Sequence, residues 1–559
     1  MRELLKTGGS IFLRRQTNIL SAAFVIMSTY ALSHLMGLFK TRLLLSYFFG
    51  SKAFLLDVYY AAFVIPDTIF QLLVIGSLSA AFIPVYTRYL SKGNEKQAWR
   101  LASVSLNFVL SIFFVISLGI FIFSAPLCRL IAPGFDLQQI SIMSSLLRIM
   151  LLAQIFFVIS GFLTGIIQSH QRFVIPALAP VLYNVGIIIG IIVLSPTLGI
   201  YGPAIGVVIG ALFHMLIQLP AALRLGFRPS LSFDYHHPGV TEIARLIPLR
   251  SLALGIDQIE QFVAVILASL LSAGSLSLFN IARLLYVIPS SLFGVTLGQA
   301  ALPVLSRQSD STPAGHDQFV NTLTKTLLQI VFFALPISIL FIVLRIPIVR
   351  IVFGAKSFPW AATLLTGKVL AILTASSTFV AVMQLINRGF YAMHNTRTPL
   401  IVGLLAACFD VSLSIFLVNV MGWGIVGLGV AISLTAVIEA GILMHLLFKA
   451  LRPLSYPVNE LWLSLSKIVS AGLATGFALW LPMRLLDKFV FDTTRTVPLL
   501  ALTAITSIIG LTVYFLLCHL FRVAELTTLV GLLRRLVSWK EIIFPRSKEV
   551  VIVPAPDQN

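Results

Sequence analysis

The chain has 559 residues, of which 58% are hydrophobic and 11% are charged. Soluble proteins carry charge on about a quarter of their residues, so this composition excludes an ordinary soluble protein and predicts a membrane protein. Its 39 basic residues outnumber the 20 acidic ones, which gives a net charge of +19. In membrane proteins such an excess lies in loops facing the anionic cytoplasmic leaflet, so we do not expect nucleic acid as a partner.

Apolar segments follow one another along the chain, each long enough to cross a bilayer as a helix. We predict an all-α polytopic membrane protein with about 14 transmembrane helices, preceded by a retained cytoplasmic segment at residues 1–17. The predicted spans cover residues 18–48, 56–90, 99–127, 140–169, 174–196, 201–224, 243–272, 276–305, 318–347, 361–393, 398–421, 424–450, 459–483 and 497–521.

Positive charge gives an independent test of this segmentation, because short cytoplasmic loops are rich in Lys and Arg. The loops after even-numbered spans carry most of it, which places these loops and both termini in the cytoplasm. Residues 523–559 resemble an amphipathic helix on the inner leaflet and are predicted as a cytoplasmic tail. Five basic residues do not fit, because they fall on the predicted outer side near spans nine, ten and thirteen: Arg345, Arg350, Lys356, Arg484 and Lys488.

Several weak sequence echoes share an offset of about 220 residues, or six spans. The motif at residues 80–85 ends span two and the motif at residues 300–304 ends span eight, while Gly199 and Gly206 are echoed by Gly422 and Gly429. An even number of spans keeps both copies in the same orientation. We predict two pseudo-symmetric six-helix lobes, residues 18–228 and 229–452, plus two C-terminal helices within residues 453–522, although chance similarity between apolar segments is the alternative.

Charged residues at bilayer depth are costly and usually mark a pathway or an ion site. Lys40, Arg148 and Arg283 lie inside three different spans, where together they would line a cationic cavity suited to a phosphate or diphosphate headgroup. The alternative for Lys40 and Arg42 is that their side chains reach the lipid headgroups from span ends.

Asp257 and Asp410 are acids within spans that have no basic neighbour one turn away. They are candidates for a Na⁺ site or a transferable proton, and the alternative is a pair with Arg or Lys on another helix. The chain has no phosphate-binding loop and no protease or hydrolase motif, so we expect a transporter and not an enzyme. We expect no cofactor, with Na⁺, protons or the membrane potential as the driving force.

Seven short segments resemble the MurJ (MviN) lipid II flippases of the MOP superfamily, and the resemblance covers most of spans one to twelve. No segment is specific by itself, but the set is. The segments are residues 56–66 (LDVYYAAFVIP), 79–84 (SAAFIP), 132–135 (APGF), 172–180 (RFVIPALAP), 282–284 (ARL), 294–298 (GVTLG) and 389–392 (GFYA).

The resemblance implies a substrate site whose basic residues correspond to Lys40, Arg148 and Arg283, with Asp57 near the start of span two. It also implies a cation site between spans seven and eleven, matching Asp257 and Asp410, and a groove for the isoprenoid tail at spans thirteen and fourteen. The chain departs from the family at several positions, although Arg42 offers a compensating charge. These departures are His34, Thr41, Phe70, Gln71 and Ala406.

From this resemblance we expect a monomeric flippase in a bacterial inner membrane that carries lipid II from the inner to the outer leaflet by alternating access. Its partners would be lipid II, membrane lipids and proteins of cell-wall synthesis. The alternatives are a flippase for another polyprenyl-linked oligosaccharide, a cation-coupled exporter of the same superfamily and a polytopic membrane glycosyltransferase. The last would need clustered acids in an external loop, where Asp136, Asp487 and Asp492 are scattered.

Overall fold

The computed structural model describes residues 19–50, 52–75, 82–234, 236–309, 313–355, 357–451 and 458–527. The predicted N-terminal segment and nearly all of the predicted tail lie outside them. Every regular element in this part of the chain is helical. The helices of the first half are α1 (Ile19–Phe48), α2 (Ala53–Phe70), α3 (Ile83–Ser91), α4 (Glu95–Ile122), α5 (Ser124–Ile131), α6 (Leu137–Ser169), α7 (Val174–Ile189), α8 (Ser195–Leu198) and α9 (Tyr201–Arg224).

The second half has the same succession of long and short helices except for a counterpart of α8, and two more helices follow it. Its helices are α10 (Pro238–Ser269), α11 (Ser275–Pro289), α12 (Thr296–Gln308), α13 (Pro313–Val343), α14 (Arg345–Phe353), α15 (Trp360–Ala392), α16 (Arg397–Ile415), α17 (Gly424–Ala450), α18 (Val458–Phe489) and α19 (Thr496–Leu520).

Among the described residues, 12 helical segments are long and apolar enough to cross a membrane. The long helices α1 and α10 coincide with predicted spans one and seven, so each predicted span has its helix. The protein is therefore an all-helical, multi-pass membrane protein, as the sequence predicts.

Three predicted spans extend beyond the ends of their helices, because a continuous apolar run does not show where a helix bends. Span two is divided between α2 and α3. Span three ends at Ile122 and is followed by the separate short helix α5, and span nine ends at Val343 before α14. The misfitting arginines of α14 donate to backbone carbonyls, Arg345 Nη1 to Ile342 O at 2.9 Å and Arg350 Nη1 to Phe358 O at 3.2 Å.

The two halves share their helix order and also their irregularities. Helices α6 and α15 begin 223 residues apart, at Leu137 and Trp360, and both are 33 residues long. Single π-helical turns follow α2 and α11, at Gln71–Ile75 and Ser290–Val295, and also follow α7 and α16, at Gly190–Leu194 and Phe416–Val420. Matching irregularities at equivalent positions argue against chance similarity between apolar segments. We call residues 19–224 the first repeat and residues 238–450 the second repeat.

Close packing of small residues holds α7 against α9 in the first repeat. A Cβ atom on Gly186 would lie 2.3 Å from Gly210 Cα, so no larger residue fits at this crossing. Small residues allow such close approach between helices in a membrane, where burial of apolar surface gives little driving force. The C-terminal helices α18 and α19 pack against each other and against α13, where Tyr514 Oη donates to Phe332 O at 2.8 Å.

The interface between the repeats has two ends. Residues 225–237 connect α9 to α10 at one end, which we call the linker end. Helix α1 ends and α2 begins at the opposite end, close to the turn between α10 and α11 and to α14. We call this the clasp end, after the contacts described below.

Candidate functional site

Two equivalent contacts join the repeats at the clasp end. Gly134 N, in the turn before α6, donates to Ser269 Oγ at the end of α10 at 3.2 Å. Ser357 Oγ, in the turn before α15, donates to Ser46 O near the end of α1 at 3.1 Å. Adding 223 to Ser46 gives Ser269, and adding 223 to Gly134 gives Ser357. Each repeat therefore uses the same two positions to contact the other, as equivalent surfaces do across a two-fold axis.

The two contacts differ in how closely the backbones approach. A Cβ atom on Gly134 would lie 2.2 Å from Ser269 O, so only glycine fits there. At Ser357 the gap is wide enough for a side chain, whose hydroxyl also donates to Leu45 O at 2.9 Å. The interface at this end is therefore tightest where Gly134 meets Ser269.

Asp57 lies between these contacts and caps a helix of the other repeat. Its carboxylate accepts hydrogen bonds from Gly274 N at 2.6 Å, Ser277 N at 2.8 Å and Ser277 Oγ at 2.6 Å. Helix α11 begins at Ser275, so these are the N-cap and third-residue amides that a local capping box would satisfy. The side chain of Asp57 therefore joins the two repeats. Its negative charge also interacts favourably with the positive end of the helix dipole of α11.

Arg42, predicted to line the substrate cavity, is another contact between the repeats at this end. Its Nη1 donates to Ile351 O, on α14, at 2.9 Å. The rings of Phe49 and Phe358 pack beside it with their centroids 5.0 Å apart. The described contacts of Arg42 therefore close the clasp end.

A cavity of about 80 Å³ lies between the repeats, bounded by α2, α10 and α11. Such a volume holds two or three water molecules at about 30 Å³ each. Most of its lining is apolar, but Arg283 borders it together with Tyr60, Gln261 and Asn280. Arg283 is therefore at the boundary between the repeats, where a ligand held by both would bind.

Arg283 has an acidic neighbour on the adjacent helix α10. Its Nη2 lies 3.4 Å from Glu260 Oε1, and the two side chains are 28% and 30% exposed. Asp410, on α16, is buried and lies within electrostatic range of both. The side chain of Asp257 lies outside the described residues, so its pairing with Asp410 in a Na⁺ site stays a prediction. The described side chains contain no group of three or more His, Cys, Asp or Glu residues placed to hold a metal ion.

Lys40 contacts another helix of the first repeat. Lys40 Nζ lies 5.9 Å from the centre of the Tyr183 ring, a cation–π contact between α1 and α7. Asn184 Nδ2 donates to Ser33 O at 3.2 Å and joins the same two helices next to the half-buried His34.

Arg148 contacts the corner between α4 and α5. Its Nε donates to Ser124 Oγ at 2.8 Å and to Phe121 O at 3.3 Å, and its guanidinium lies 5.1 Å from the centre of the Phe121 ring. A cation near the last carbonyls of α4 is favourable because it meets the negative end of the helix dipole. Lys40, Arg148 and Arg283 thus have three separate sets of partners, and their convergence on one ligand stays a prediction.

Two exposed ion pairs lie at the linker end, one between the repeats and one between the first repeat and the linker. Arg88, on α3, pairs with Glu242 at the start of α10, and this neighbour raises the pKa of the Arg88 guanidinium. Arg100, on α4, pairs with Asp234 of the linker at 2.8 Å. The side chains of Arg100 and Asp234 are 51% and 37% exposed, and those of Arg88 and Glu242 are 50% and 41% exposed. These contacts lie in water, where ion pairs contribute little.

His237 caps α10 at the linker end. Its Nδ1 accepts a hydrogen bond from Gly239 N at 3.2 Å, while Nε2 lies 3.3 Å from Gln97 Oε1 of α4. Burial lowers the pKa of His237, and only the neutral ring can accept the Gly239 hydrogen bond.

Sequence reasoning gave Glu260 little weight and missed Tyr183 and Asn184. Counting from the turn at residues 270–274 would have paired Glu260 with Arg283, because they lie nine residues before the end of α10 and eight after the start of α11. At 1.5 Å per residue both are about 12 to 14 Å from the turn. No comparable signal identifies Tyr183 as the neighbour of Lys40, since their helices are distant in sequence.

Comparison with known proteins decides between the families that such a fold allows. The sequence model of the family described as "Lipid II flippase MurJ" matches residues 45–499. The chain belongs to the MurJ lipid II flippase family. Its relatives include the probable lipid II flippase MurJ of Bdellovibrio bacteriovorus, 29% identical over 77% of this chain and 82% of the relative, and that of Vibrio cholerae, 26% identical over 83% and 89%.

Solved structures agree with the fold. A lipid II flippase MurJ in an inward closed conformation superposes with a TM-score of 0.73 at 23% identity, covering 89% of this chain and 98% of that one. A multidrug resistance MATE transporter of the MOP superfamily, in an inward-facing conformation, gives a TM-score of 0.62 at 15% identity, over 78% of this chain and 100% of that one. The protein therefore has the fold of the MOP superfamily, and its family is one of transporters.

Proposed function

We propose that this protein carries lipid II from the inner to the outer leaflet of a bacterial inner membrane by alternating access. The observation that carries the proposal is Arg283, a cation bordering an interface between two repeats in a member of the lipid II flippase family. Rocking of one repeat against the other would expose that interface to either side in turn. Such a protein binds and releases its substrate without covalent chemistry, so we propose a transporter and not an enzyme.

The headgroup diphosphate would bind Arg283, with Lys40 and Arg148 as further cations of the site and His34 and Arg42 at its border. A guanidinium holds phosphate oxygens through two parallel hydrogen bonds, whereas an ammonium acts as a point charge. Because Arg42 and Asp57 are engaged in contacts between the repeats, we assign them to the gate. Opening the clasp end would free both side chains beside the arriving headgroup.

Loop charge supports an orientation. Helix α3, the turn after it and the start of α4, all at the linker end, carry Arg88, Lys92, Lys96 and Arg100, and the positive-inside rule places such a segment in the cytoplasm. Both termini would then be cytoplasmic and the clasp end would face outward. In that orientation the clasp contacts close the protein toward the outside.

The C-terminal helices α18 and α19 would hold the isoprenoid tail. Large apolar side chains of α18 remain exposed, including Leu473 at 71% and Phe477 at 61%. A tail lying along them would stay in contact with the bilayer while the polar headgroup passes between the repeats. We propose a monomer, with proteins of cell-wall synthesis as partners at the linker end.

The driving force would be the membrane potential or a cation gradient. One elementary charge crossing 100 mV releases about 2.3 kcal/mol, enough to bias a reversible flip. Asp410 and Asp257 would hold the coupling ion if Na⁺ is used. No cofactor is needed for either scheme.

A second candidate is a flippase for another polyprenyl-linked oligosaccharide. It is favoured by Phe70 at the end of α2 and Gln71 at the start of the π-helical turn, where a pair of arginines is common in the family. A changed charge at this place would suit a different headgroup attached to the same diphosphate.

Complementation tests the assignment. Arg283→Ala and Arg148→Ala should each abolish growth of a flippase-depleted strain at unchanged protein level, while Arg495→Ala, in an exposed turn, should support growth. Full complementation by Arg283→Ala would count against the cavity as the headgroup site. Complementation by Arg148→Ala would leave that residue as a helix-corner contact only.

Depletion in the native host identifies the substrate. Lipid II should accumulate in the inner leaflet when the protein is removed. Accumulation of another polyprenyl-linked precursor, with lipid II unchanged, would favour the second candidate.

A further inference from the structure

In the ion pair of Arg283 with Glu260, another anion can take the place of the glutamate. Its Nη2 is 3.4 Å from Glu260 Oε1, and that oxygen accepts no hydrogen bond within the described residues. The contact is therefore electrostatic only, without the two parallel hydrogen bonds that an arginine forms with its best anionic partners. An incoming phosphate able to form both would be a better partner than Glu260.

Asp410 is a second acidic residue near Arg283. Asp410 is 5% exposed, and its Oδ1 has no hydrogen-bond partner among the described residues. In a site of low dielectric constant, an anion that approaches Arg283 also meets the repulsion of Glu260. Attraction and repulsion both grow with the charge of the anion, so the number and geometry of its acceptor oxygens decide whether it can replace Glu260.

The membrane itself supplies the competing anions. A bilayer rich in anionic phospholipids presents many phosphodiester headgroups with one negative charge each. An unguarded arginine at an interface that opens to the inner leaflet would bind them and remain occupied. The diphosphate of a lipid-linked precursor has two adjacent charged phosphates, and so offers more charge and more acceptors at the same place.

We propose that Glu260 is a specificity-determining residue. By pairing with Arg283 at the boundary between the repeats, it excludes singly charged phospholipid headgroups but is displaced by a diphosphate. This inference rests on the proposed function, because it assumes that Arg283 receives the substrate headgroup. It adds a residue that acts through another side chain, so Glu260 is a positioning residue and does not itself bind the lipid.

Binding measurements on the purified full-length protein test this role. The probes are dioctanoyl phosphatidylglycerol, with one negative phosphodiester, and lipid II. Wild type should bind lipid II at least about a hundredfold more tightly than phosphatidylglycerol, since charge-assisted bidentate contacts favour the diphosphate. In Glu260→Gln, phosphatidylglycerol should bind about tenfold more tightly, which lowers the preference for lipid II.

Two further variants isolate the pair. Glu242→Gln removes a glutamate that pairs with an arginine at the linker end, and it should leave both affinities unchanged. Adding Arg283→Gln to Glu260→Gln should remove the gain in phosphatidylglycerol affinity, because the gain acts through the guanidinium. If Glu260→Gln does not yield folded protein, Glu260→Asp, whose carboxylate is one methylene shorter, should give an intermediate preference.

The outcomes separate this inference from the proposed function. A wild type that prefers lipid II, with Glu260→Gln or Glu260→Asp keeping that full preference, overturns the role of Glu260 and leaves the flippase proposal intact. A wild type that binds both probes equally and moves no lipid II in proteoliposomes overturns the proposed function, and the inference with it.

Discussion

The repeats contact each other through different chemistry at their two ends. At the clasp end the contacts are hydrogen bonds that involve backbone atoms, and Asp57, which makes three of them, is only 3% exposed. At the linker end the polar contact is the ion pair of Arg88 with Glu242, whose side chains are 50% and 41% exposed. Hydrogen bonds to a buried charge contribute more than exposed ion pairs, because water and salt screen the latter. The polar contacts of the clasp end are therefore stronger than those of the linker end.

This difference between the ends bears on which conformation of the alternating-access cycle the contacts stabilise. An alternating-access protein needs contacts that close one end while the other opens. The pseudo-symmetric pair of contacts closes the clasp end in this structure, whereas the linker end combines exposed ion pairs with apolar packing of Val240 and Ile243 against α3 and α4. The predictions below test that contrast, beginning with the largest effect.

A covalent bond across the clasp end should stop transport completely. Ser46→Cys with Ser357→Cys places one thiol on each side of the contact between Ser357 Oγ and the backbone carbonyl of Ser46, in a background with the native cysteines replaced. Oxidation should abolish lipid II flipping in proteoliposomes, and a reductant should restore it. The single variant Ser357→Cys should be unaffected by the same oxidant. Undiminished transport by the disulfide-linked protein would show that this end does not open.

Asp57→Asn should weaken the cap of α11 without creating a cavity. The amide has one acceptor oxygen in place of two and no negative charge, so about 1 to 3 kcal/mol of charged hydrogen bonding is lost. The amides of Gly274 and Ser277 should then exchange with solvent deuterium about tenfold faster or more, since 1.4 kcal/mol corresponds to a factor of ten. Asp234→Asn, at the linker end, should leave those amides unchanged. Equal exchange in wild type and Asp57→Asn would show that the cap does not hold this end.

Part of this architecture follows from the sequence alone. The number of long helices and the six-helix repeat are readable because apolar runs of about 20 residues have few other uses in a chain. Arg283 is predictable as a functional candidate for a similar reason, since an arginine within an apolar segment needs an explanation. Both inferences depend on the free-energy cost of placing a residue in the bilayer, which can be judged from the local sequence alone.

The partners of those charged groups do not follow from the sequence. Asp57 caps a helix that begins 218 residues later, and Arg42 bonds to a carbonyl on α14. Such contacts depend on how the two repeats are docked, and no spacing along the chain encodes that arrangement. The ends of spans two, three and nine were also unpredictable, because an apolar residue fits equally well in a straight helix and in a bend.

Gly134→Ala should push the repeats apart at the tightest point of the clasp end. The new Cβ would lie 2.2 Å from Ser269 O and 2.5 Å from Ser269 C, and overpacking of this kind costs about 1 to 3 kcal/mol. Spin labels on the exposed positions Leu137 and Leu270 should report a longer or broader distance distribution. Gly119→Ala, where a Cβ would meet nothing within 4 Å, is the matched control. An unchanged distribution in Gly134→Ala would mean that the backbones relax without separating.

The smallest effect is expected at the linker end, from Glu242→Gln. The ion pair with Arg88 is half exposed, so its loss should change the rate of lipid II flipping by less than about twofold. Raising the salt concentration should reproduce this small change in wild type, because mobile ions screen exposed charges, and should leave amide exchange at Ser277 unaltered. A large loss of transport in Glu242→Gln would reverse the contrast, since it would mean that the exposed end carries the closing energy. Comparing Glu242→Gln with Asp57→Asn in one preparation therefore measures the difference between the two ends directly.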